Sequence, residues 1–242
     1  MRSRIQKNVE KPLIEILYQD NHLIAVNKKP SEIVQGDKTG DKPLSEIVAD
    51  YLARRLDKPG DAFIGVIHRL DRPASGVVLF AKTSKGLERM NEMFRNHEIK
   101  KTYWAVVKDK PAKDSDTLVH YLIKDEQRNK SMLFPEEVEG SQRAELTYKV
   151  LHSIENYSLL EIDLITGRHH QIRAQLAKIG CPIKGDLKYG FPRSNANASI
   201  HLHARKMEFK HPVKLEPIVI IANPPYDTVW GAFMKVLFPR YD

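Results

Sequence analysis

His68-Arg69-Leu70-Asp71-Arg72-Pro73-Ala74-Ser75-Gly76 is a polar stretch set between two short apolar runs, residues 63–67 and 77–81. Runs of that length and composition predict strands, so the polar stretch becomes a connection held between two sheet elements. Loops supported by a sheet often carry chemistry. A single carboxylate, Asp71, stands between Arg69 and Arg72 and is followed by Pro73 and a turn of small residues. Neighbouring cations favour the ionised carboxylate, which suits a nucleophile or base better than a general acid near neutrality. An aspartate in a turn most often serves backbone hydrogen bonding alone. The segment therefore needs company before it implies a reaction.

Working outward, apolar runs at 13–18 and 22–26, separated by Gln19, Asp20 and Asn21, predict an opening hairpin. After a loop rich in Pro, Gly and Asp at 30–42, Ile47, Val48, Tyr51 and Leu52 recur at helical spacing within 44–56. Downstream, Ser84 is placed to cap a helix whose apolar stripe is Leu87, Met90, Met93 and Phe94, and a strand follows at 102–107. The polar middle, 110–142, holds Lys124, Asp125, Glu126, Arg128, Asn129 and Lys130 between short apolar runs and reads as hairpins in an insertion. Strands are expected at 146–150 and 159–165, then a helix marked by Ile172, Leu176 and Ile179 and stopped by Gly180 and Pro182. Strands at 201–209 and 218–222 and a closing helix at 229–237 complete the reading. The expected fold is one α+β domain over 13–242, a mixed, largely antiparallel sheet with flanking helices, preceded by a basic arm at 1–12.

The 242 residues, 41% of them hydrophobic, suffice for one substantial core or two modest ones. A net charge of +8 favours a polyanionic partner such as nucleic acid, although an acidic membrane surface suits that sign equally well. Residues 1–12 carry Arg2, Arg4, Lys7 and Lys11 and lack the apolar centre of a secretory signal. No stretch approaches the roughly 20 apolar residues that a membrane-spanning helix needs. Cys181 is the sole cysteine, so an internal disulfide is excluded. A soluble, cytoplasmic protein is expected, monomeric and without an obligatory protein partner.

Two further segments supply the company that Asp71 needs. Thr166-Gly167-Arg168-His169-His170-Gln171-Ile172-Arg173 is a strand-to-helix junction dense in hydrogen-bond donors, and Gly167 has backbone freedom other residues lack. Helix N-termini and arginines attract phosphate. Arg173 lies four residues beyond His169 and can reach a carboxylate while Arg168 faces substrate; an ordinary basic helix surface is the plainer alternative. In Lys100-Lys101-Thr102-Tyr103-Trp104-Ala105-Val106, strand alternation puts Tyr103 and Ala105 on one face and Trp104 and Val106 on the other. Tyr103 either stacks on a base or fills the core. Lys82, Lys85, Lys100, Lys101, Lys184 and Lys188 are candidates for contacts to a nucleic-acid backbone, though each alone is also an ordinary solvated charge.

Together these segments resemble the RluA-type family of RNA pseudouridine synthases, whose active-site loop reads His-Arg-Leu-Asp followed by a Thr-Ser-Gly-like turn. Residues 68–76 match apart from Ala74. The resemblance continues through Lys101-Thr102-Tyr103, through residues 166–173, through Gly180-Cys181-Pro182-Ile183-Lys184-Gly185-Asp186 with Tyr189-Gly190, and into Leu202-His203-Ala204. One departure is Glu32 in Lys29-Pro30-Ser31-Glu32, where the family usually has Gly.

The resemblance implies a catalytic domain of the pseudouridine synthase type without the S4 RNA-binding domain. It also implies an isomerase acting on uridines of structured RNA, ribosomal RNA foremost and transfer RNA next, with no cofactor and no metal. Asp71 would be the essential carboxylate, Tyr103 would contact the target uracil and Arg173 would pair with Asp71. Arg69 would fill the gap left by the extruded base, with His68, Leu70, Arg168, His170 and Gln171 on the substrate side. One carboxylate suits a rearrangement better than hydrolysis, which usually needs two. Two other classes stay open at this point. One is a non-catalytic RNA-binding protein, and the other is a metal or thiol enzyme using His201, His203 and Cys181.

Overall fold

The structure, a computed structural model, describes residues 14–56 and 62–239. The basic arm expected at 1–12 and the first residue of the expected opening strand lie outside the described residues. Eleven strands form one sheet, with four α-helices packed against it, among the described residues. The opening hairpin is β1 (Glu15–Gln19) and β2 (Leu23–Lys28). Asp20 closes its turn by accepting the backbone N–H groups of His22 and Leu23, each at 2.8 Å. Helix α1 (Leu44–Leu56) matches the expected span because its apolar spacing is local and uninterrupted.

Strand β3 is only Gly65–Val66, shorter than the run at 63–67 predicts. Its partner, β4 (Ser75–Ala81), pairs with it at Phe80 and Ala81 only; the next N–H on that strand, of Leu79, goes to the His68 ring at 3.0 Å, and β10 takes Ser75 and Gly76. Helix α2 (Ser84–Arg95) is capped one residue earlier than expected. Thr83 has the extended backbone of a cap and accepts the Gly86 N–H at 3.1 Å, whereas Ser84 is already helical.

The chain then forms a run of antiparallel strands: β5 (Lys100–Lys108), β6 (Ser115–Asp125), β7 (Lys130–Phe134), β8 (Gln142–Ile154) and β9 (Tyr157–Leu164). The polar middle is thus part of the sheet and not an insertion upon it. β6 pairs with β8 from Ser115↔Lys149 to Leu122↔Gln142, and Leu118 and Leu122 are buried in the core. Helix α3 (Gln171–Lys178), β10 (Leu202–Lys210), β11 (Pro217–Ile221) and α4 (Thr228–Leu237) complete the fold.

The strand order is β1-β2-β4-β10-β5-β9-β8-β6-β7, with β11 beside β10 and β3 beside β4. Among the described residues every pairing of strands is antiparallel except that of β4 with β10, which is parallel over His203↔Ser75 and Ala204↔Gly76. Helices cover both faces of the sheet, which explains why its central strands are apolar on both sides. In β2, Leu23 and Ala25 face the cluster of α2, while Ile24 and Val26 face that of α1. In β5, Ala105 and Val107 join the cluster of α3, and Trp104 and Val106 pack with Trp230 and Phe233 of α4. The alternation read from the sequence therefore holds. Among the described residues no helix is long and apolar enough to cross a membrane.

The parallel seam joins the sheet's N-terminal portion to the rest and tolerates no side chain at Gly76. That residue has φ +116°, and a Cβ there would lie 2.3 Å from the Ala204 carbonyl oxygen and 2.5 Å from its nitrogen. Gly76→Ala is expected to destabilise the protein by about 2–4 kcal/mol through overpacking and backbone strain together. Urea unfolding would check this; a midpoint within error of the wild type would refute the tight seam.

Candidate active site

Beside the seam lies a cleft of about 890 Å³, bordered by the loop that carries Asp71, by Lys101 and Tyr103 of β5, and by the turn leading into α3. Residues 68 to 71 of the loop all line the cleft, and two of them also anchor the loop. His68 is anchored by accepting the Leu79 N–H at Nε2 (3.0 Å) and by stacking on Phe94 at 5.2 Å. Burial, with the charge of Lys101, pushes His68 down to about 4, so it is neutral at physiological pH and serves as a tether. Leu70 packs into the cluster beneath α1. Arg69 is exposed and Asp71 is half-buried, and both line the cleft.

The cation that meets Asp71 is neither of its sequence neighbours. Arg72 turns away to bond Thr39 Oγ1 at 3.1 Å and to pair with Asp41 and, at 3.9 Å, with Asp37. Instead, Arg173 Nη1 donates to Asp71 Oδ2 at 2.9 Å. Arg173 is itself gripped by Asp186, with Nε to Oδ2 at 2.6 Å and Nη2 to Oδ1 at 2.8 Å. Its guanidinium also lies 5.1 Å from the centre of the Tyr189 ring. Burial opposes its charge, but the bonds and charge of Asp186, then those of Asp71, outweigh that effect and raise its pKa. A bidentate partner fixes the plane of the guanidinium, so the remaining nitrogen points at Asp71 and nowhere else.

Sequence reading gave Asp186 no role, although it lies within a segment that carries the family resemblance. Its placement depends on Gly185, at φ +87°, where a Cβ would meet the Asn195 side chain at 2.5 Å and the Ser199 carbonyl at 2.6 Å. The Gly-Asp pair was the available signal, but its partner could not be read from it.

His170 occupies the left-handed region (φ 52°) at the start of α3 and hydrogen-bonds Tyr189 Oη through Nδ1 at 3.1 Å. Its Nε2 lies 3.6 Å from Asp71 Oδ2. Burial, then Arg173 and His169, push His170 down to about 2, so this contact is not an ion pair. Gln171 lies at the cleft with its side-chain amide bound within the protein. Its Oε1 accepts from Thr166 Oγ1 (2.7 Å) and the Arg168 N–H (3.0 Å), and its Nε2 donates to the Glu145 carbonyl (3.0 Å), bracing the turn. Arg168 lines the cleft with its Nε donating to the Arg143 carbonyl at 3.0 Å. His169, a residue given no individual role from sequence, ties the β6–β7 turn to the cleft through Ser131 Oγ (3.0 Å) and Asn129 Oδ1 (3.1 Å).

Tyr103 lines the cleft, and burial, reinforced by the Asp71 charge, raises its phenol well above the usual range. It is therefore a neutral, aromatic surface near the carboxylate. Of the six lysines singled out from sequence, Lys101 and Lys188 line the cleft, joined by Lys124. The others lie off its lining: Lys100 pairs with Asp163 at 3.2 Å, Lys184 bonds Asn195 Oδ1 at 2.6 Å, Lys82 bonds the Asp20 carbonyl, and Lys85 is exposed on α2.

The residues of the metal or thiol alternative do not converge. His201, just before β10, stacks on Trp230 and lies 3.0 Å from Asp227, and His203 meets the same ring edge-on. His203 bonds Ser75 Oγ at 2.9 Å and the Ala222 carbonyl at 3.0 Å, and Cys181 is in the core. Among the described residues no three potential ligands stand close enough to hold a metal.

Comparison with known proteins gives this geometry a context. The family model described as RNA pseudouridylate synthase matches residues 22–178. The chain is 32% identical over 241 residues to tRNA pseudouridine synthase C of Vibrio cholerae, covering 92% of this chain and 95% of that protein. It is also 32% identical over 246 residues to the protein of the same name from Salmonella typhi, covering 93% and 89%. The solved structure of Human RNA Pseudouridylate Synthase Domain Containing 4 superimposes with a TM-score of 0.73 at 25% identity, covering 90% of this chain and 92% of that one. The chain belongs to the RNA pseudouridylate synthase family. It is an RNA pseudouridine synthase, an isomerase acting on uridine in RNA.

The Arg173–Asp186 clamp makes a direct prediction. Asp186→Ala leaves a buried guanidinium without its main partner and is expected to cost about 3–5 kcal/mol of stability. An unchanged unfolding midpoint in urea would contradict the clamp.

Proposed function

We propose that this enzyme isomerises uridine in transfer RNA, with Asp71 as its essential carboxylate. The observation that carries the assignment of Asp71 is the 2.9 Å contact from a guanidinium that is held in place from its far side by Asp186. The resemblance alone put ribosomal RNA first. The names of the relatives from Vibrio cholerae and Salmonella typhi favour transfer RNA instead. The working unit is the catalytic domain over 13–242, acting as a cytoplasmic monomer.

The reaction breaks the bond from the sugar's C1′ to uracil N1, turns the base and joins C5 to the same carbon. The C5 hydrogen is released as a proton and N1 gains one, so atoms balance without oxidation or a consumed water. Asp71 serves this either by attacking C1′ or by removing the C2′ proton to give a glycal. Arg173 aims the carboxylate in both routes. The uridine must leave its stack, which costs a few kcal/mol. Arg69, exposed at the cleft, fills the vacated space, and Tyr103 offers its ring to the extruded base. Lys101, Lys124 and Lys188 supply positive charge for the backbone.

Transfer RNA and ribosomal RNA transcribed with tritium at uridine C5 would test the proposal by release of tritium to water. Wild type is expected to release it from transfer RNA and Asp71→Asn to release none, with RNA affinity nearly unchanged. Comparable turnover by the mutant would remove Asp71 from the chemistry, and salt-sensitive binding of both RNAs without release would favour a binding protein. Release from ribosomal RNA alone would reverse the substrate assignment.

Tyr103→Phe is expected to retain more activity in the same assay than Tyr103→Ala, since Phe keeps the ring. Equal losses would assign the role to the hydroxyl.

A further inference from the structure

His170 stands where α3 begins, yet its side chain makes no capping bond to that helix. Its backbone is in the left-handed region, φ 52°, which residues with a Cβ seldom adopt. Such a conformation persists only where the surrounding structure enforces it. The ring is buried, stacked on His169 at 3.8 Å and met edge-on by Tyr189 at 5.6 Å, and its Nε2 faces Asp71.

Hydrogen-bond bookkeeping decides which ring nitrogen carries the proton. Tyr189 Oη accepts the Ser131 backbone N–H at 2.8 Å, so its own hydrogen is free for His170 Nδ1 at 3.1 Å. A neutral imidazole whose Nδ1 accepts holds its proton on Nε2. The opposite tautomer would set a lone pair against Asp71 Oδ2, 3.6 Å away. Burial, then the charges of Arg173 and His169, keep the ring neutral, so it presents one uncharged N–H to the carboxylate. A second full charge would be repelled by Arg173 and would hold the anion too firmly for it to share its electrons.

The two donors converge on one atom. Arg173 Nη1 lies 2.9 Å from Asp71 Oδ2 and His170 Nε2 lies 3.6 Å from the same oxygen, while among the described residues nothing donates to Oδ1. The separation of 3.6 Å is too long for a hydrogen bond. Catalytic hydrogen bonds often tighten only once substrate is bound. Arg173 grips the carboxylate through a single N–H, about which the group can still turn; a second donor on Oδ2 removes that freedom.

We propose that His170 is a positioning residue for the isomerisation: its Nε2–H, set by Tyr189, closes on the Asp71 oxygen that Arg173 holds and leaves Oδ1 to meet the ribose. The inference rests on the reading of Asp71 as the essential carboxylate. In the attacking route Oδ1 bonds C1′ as the C1′–N1 bond breaks with its electron pair passing to uracil. The Oδ1–C1′ bond then breaks as C5 joins C1′, C5 loses its proton and N1 gains one. In the glycal route Oδ1 takes the C2′ proton and later returns it. Oδ2 keeps its two donors throughout.

The test has two arms. Protein labelled with 15N-histidine, with the His170 signal assigned by its loss in His170→Gln, reports the tautomer through long-range 1H–15N correlation. The proton is expected on Nε2 in wild type and no longer confined there in Tyr189→Phe. Single-turnover tritium release at saturating transfer RNA, RNA affinity by filter binding and folded fraction by circular dichroism are then compared for His170→Phe, His170→Gln, Tyr189→Phe, the double variant and Asp71→Asn. His170→Phe is expected to bind RNA within about twofold of wild type and to turn over about tenfold more slowly, short of the hundredfold of a 1 Å misplacement. His170→Gln, which keeps an N–H, is expected to recover part of that loss. Because Tyr189 acts through His170, the double variant is expected to be no slower than His170→Phe. A purely structural residue would lower the melting temperature and leave the rate per folded molecule unchanged. A proton on Nδ1 in wild type, or full turnover by folded His170→Phe while Asp71→Asn is inactive, would overturn the role of His170 alone. Activity in Asp71→Asn would instead overturn the reading of Asp71 and this role with it. If His170→Phe does not fold, the wild-type tautomer and the rate of His170→Gln decide, and a wild-type rate in His170→Gln with the proton on Nδ1 ends the proposal.

Discussion

A guanidinium buried between two carboxylates organises this molecule's cleft. Arg173, 4% exposed, is bound on two nitrogens by Asp186 and on a third by Asp71. A charge so placed is tolerable only when its partners are fixed, so the constraint passes outward to the elements that hold them. Helix α3 must start where it does to carry Arg173 inward. The Gly185-Asp186 turn must approach Asn195 and Ser199 closely, and the Asp71 loop must meet the same guanidinium from the other side.

These elements come from distant parts of the chain, and the sheet brings them together. Its one parallel contact, between β4 and β10, is the seam where the strand that follows the Asp71 loop reaches the strand that follows the 185–201 segment. Strand β5, on the other edge of β10, adds Lys101 and Tyr103. Gly76 permits the close approach of β4 to Ala204. Lys28, separated from β5 by two strands, reaches under the loop from β2. The cleft thus borrows rigidity from a sheet covered by helices on both faces, while Arg69 remains exposed at its lining.

Much of the fold was legible because the relevant signals are local. The spacing of Ile47, Val48, Tyr51 and Leu52 defined α1, and the alternation around Tyr103 defined the two faces of β5. Strands were harder to bound. β8 runs from Gln142 to Ile154, well beyond the apolar run at 146–150, because its largely polar ends are held by pairing with β6 and β9. The same reason hid the role of 110–142, whose strands are recognisable only against their partners.

The site divides along similar lines. By itself the sequence determined which loops are rich in donors, which residue types they carry and, through family resemblance, that Asp71, Tyr103 and Arg173 belong together. The resemblance also implied that Arg173 pairs with Asp71, and only the tertiary structure decided that Asp186 grips Arg173 from the far side and that Arg72 turns away to Asp41. Arg69 and Arg72 flank Asp71 in the chain, yet its partner is Arg173, 102 residues away, and its carbonyl rests on Lys28, 43 residues away. Gln171 and His68 line the cleft while their side chains hydrogen-bond backbone groups of the protein. Adjacent side chains in a loop point in different directions, and an ion pair forms with whatever group is near in space and shielded from water. Distance and desolvation are properties of the folded chain, and no local pattern of residues encodes them.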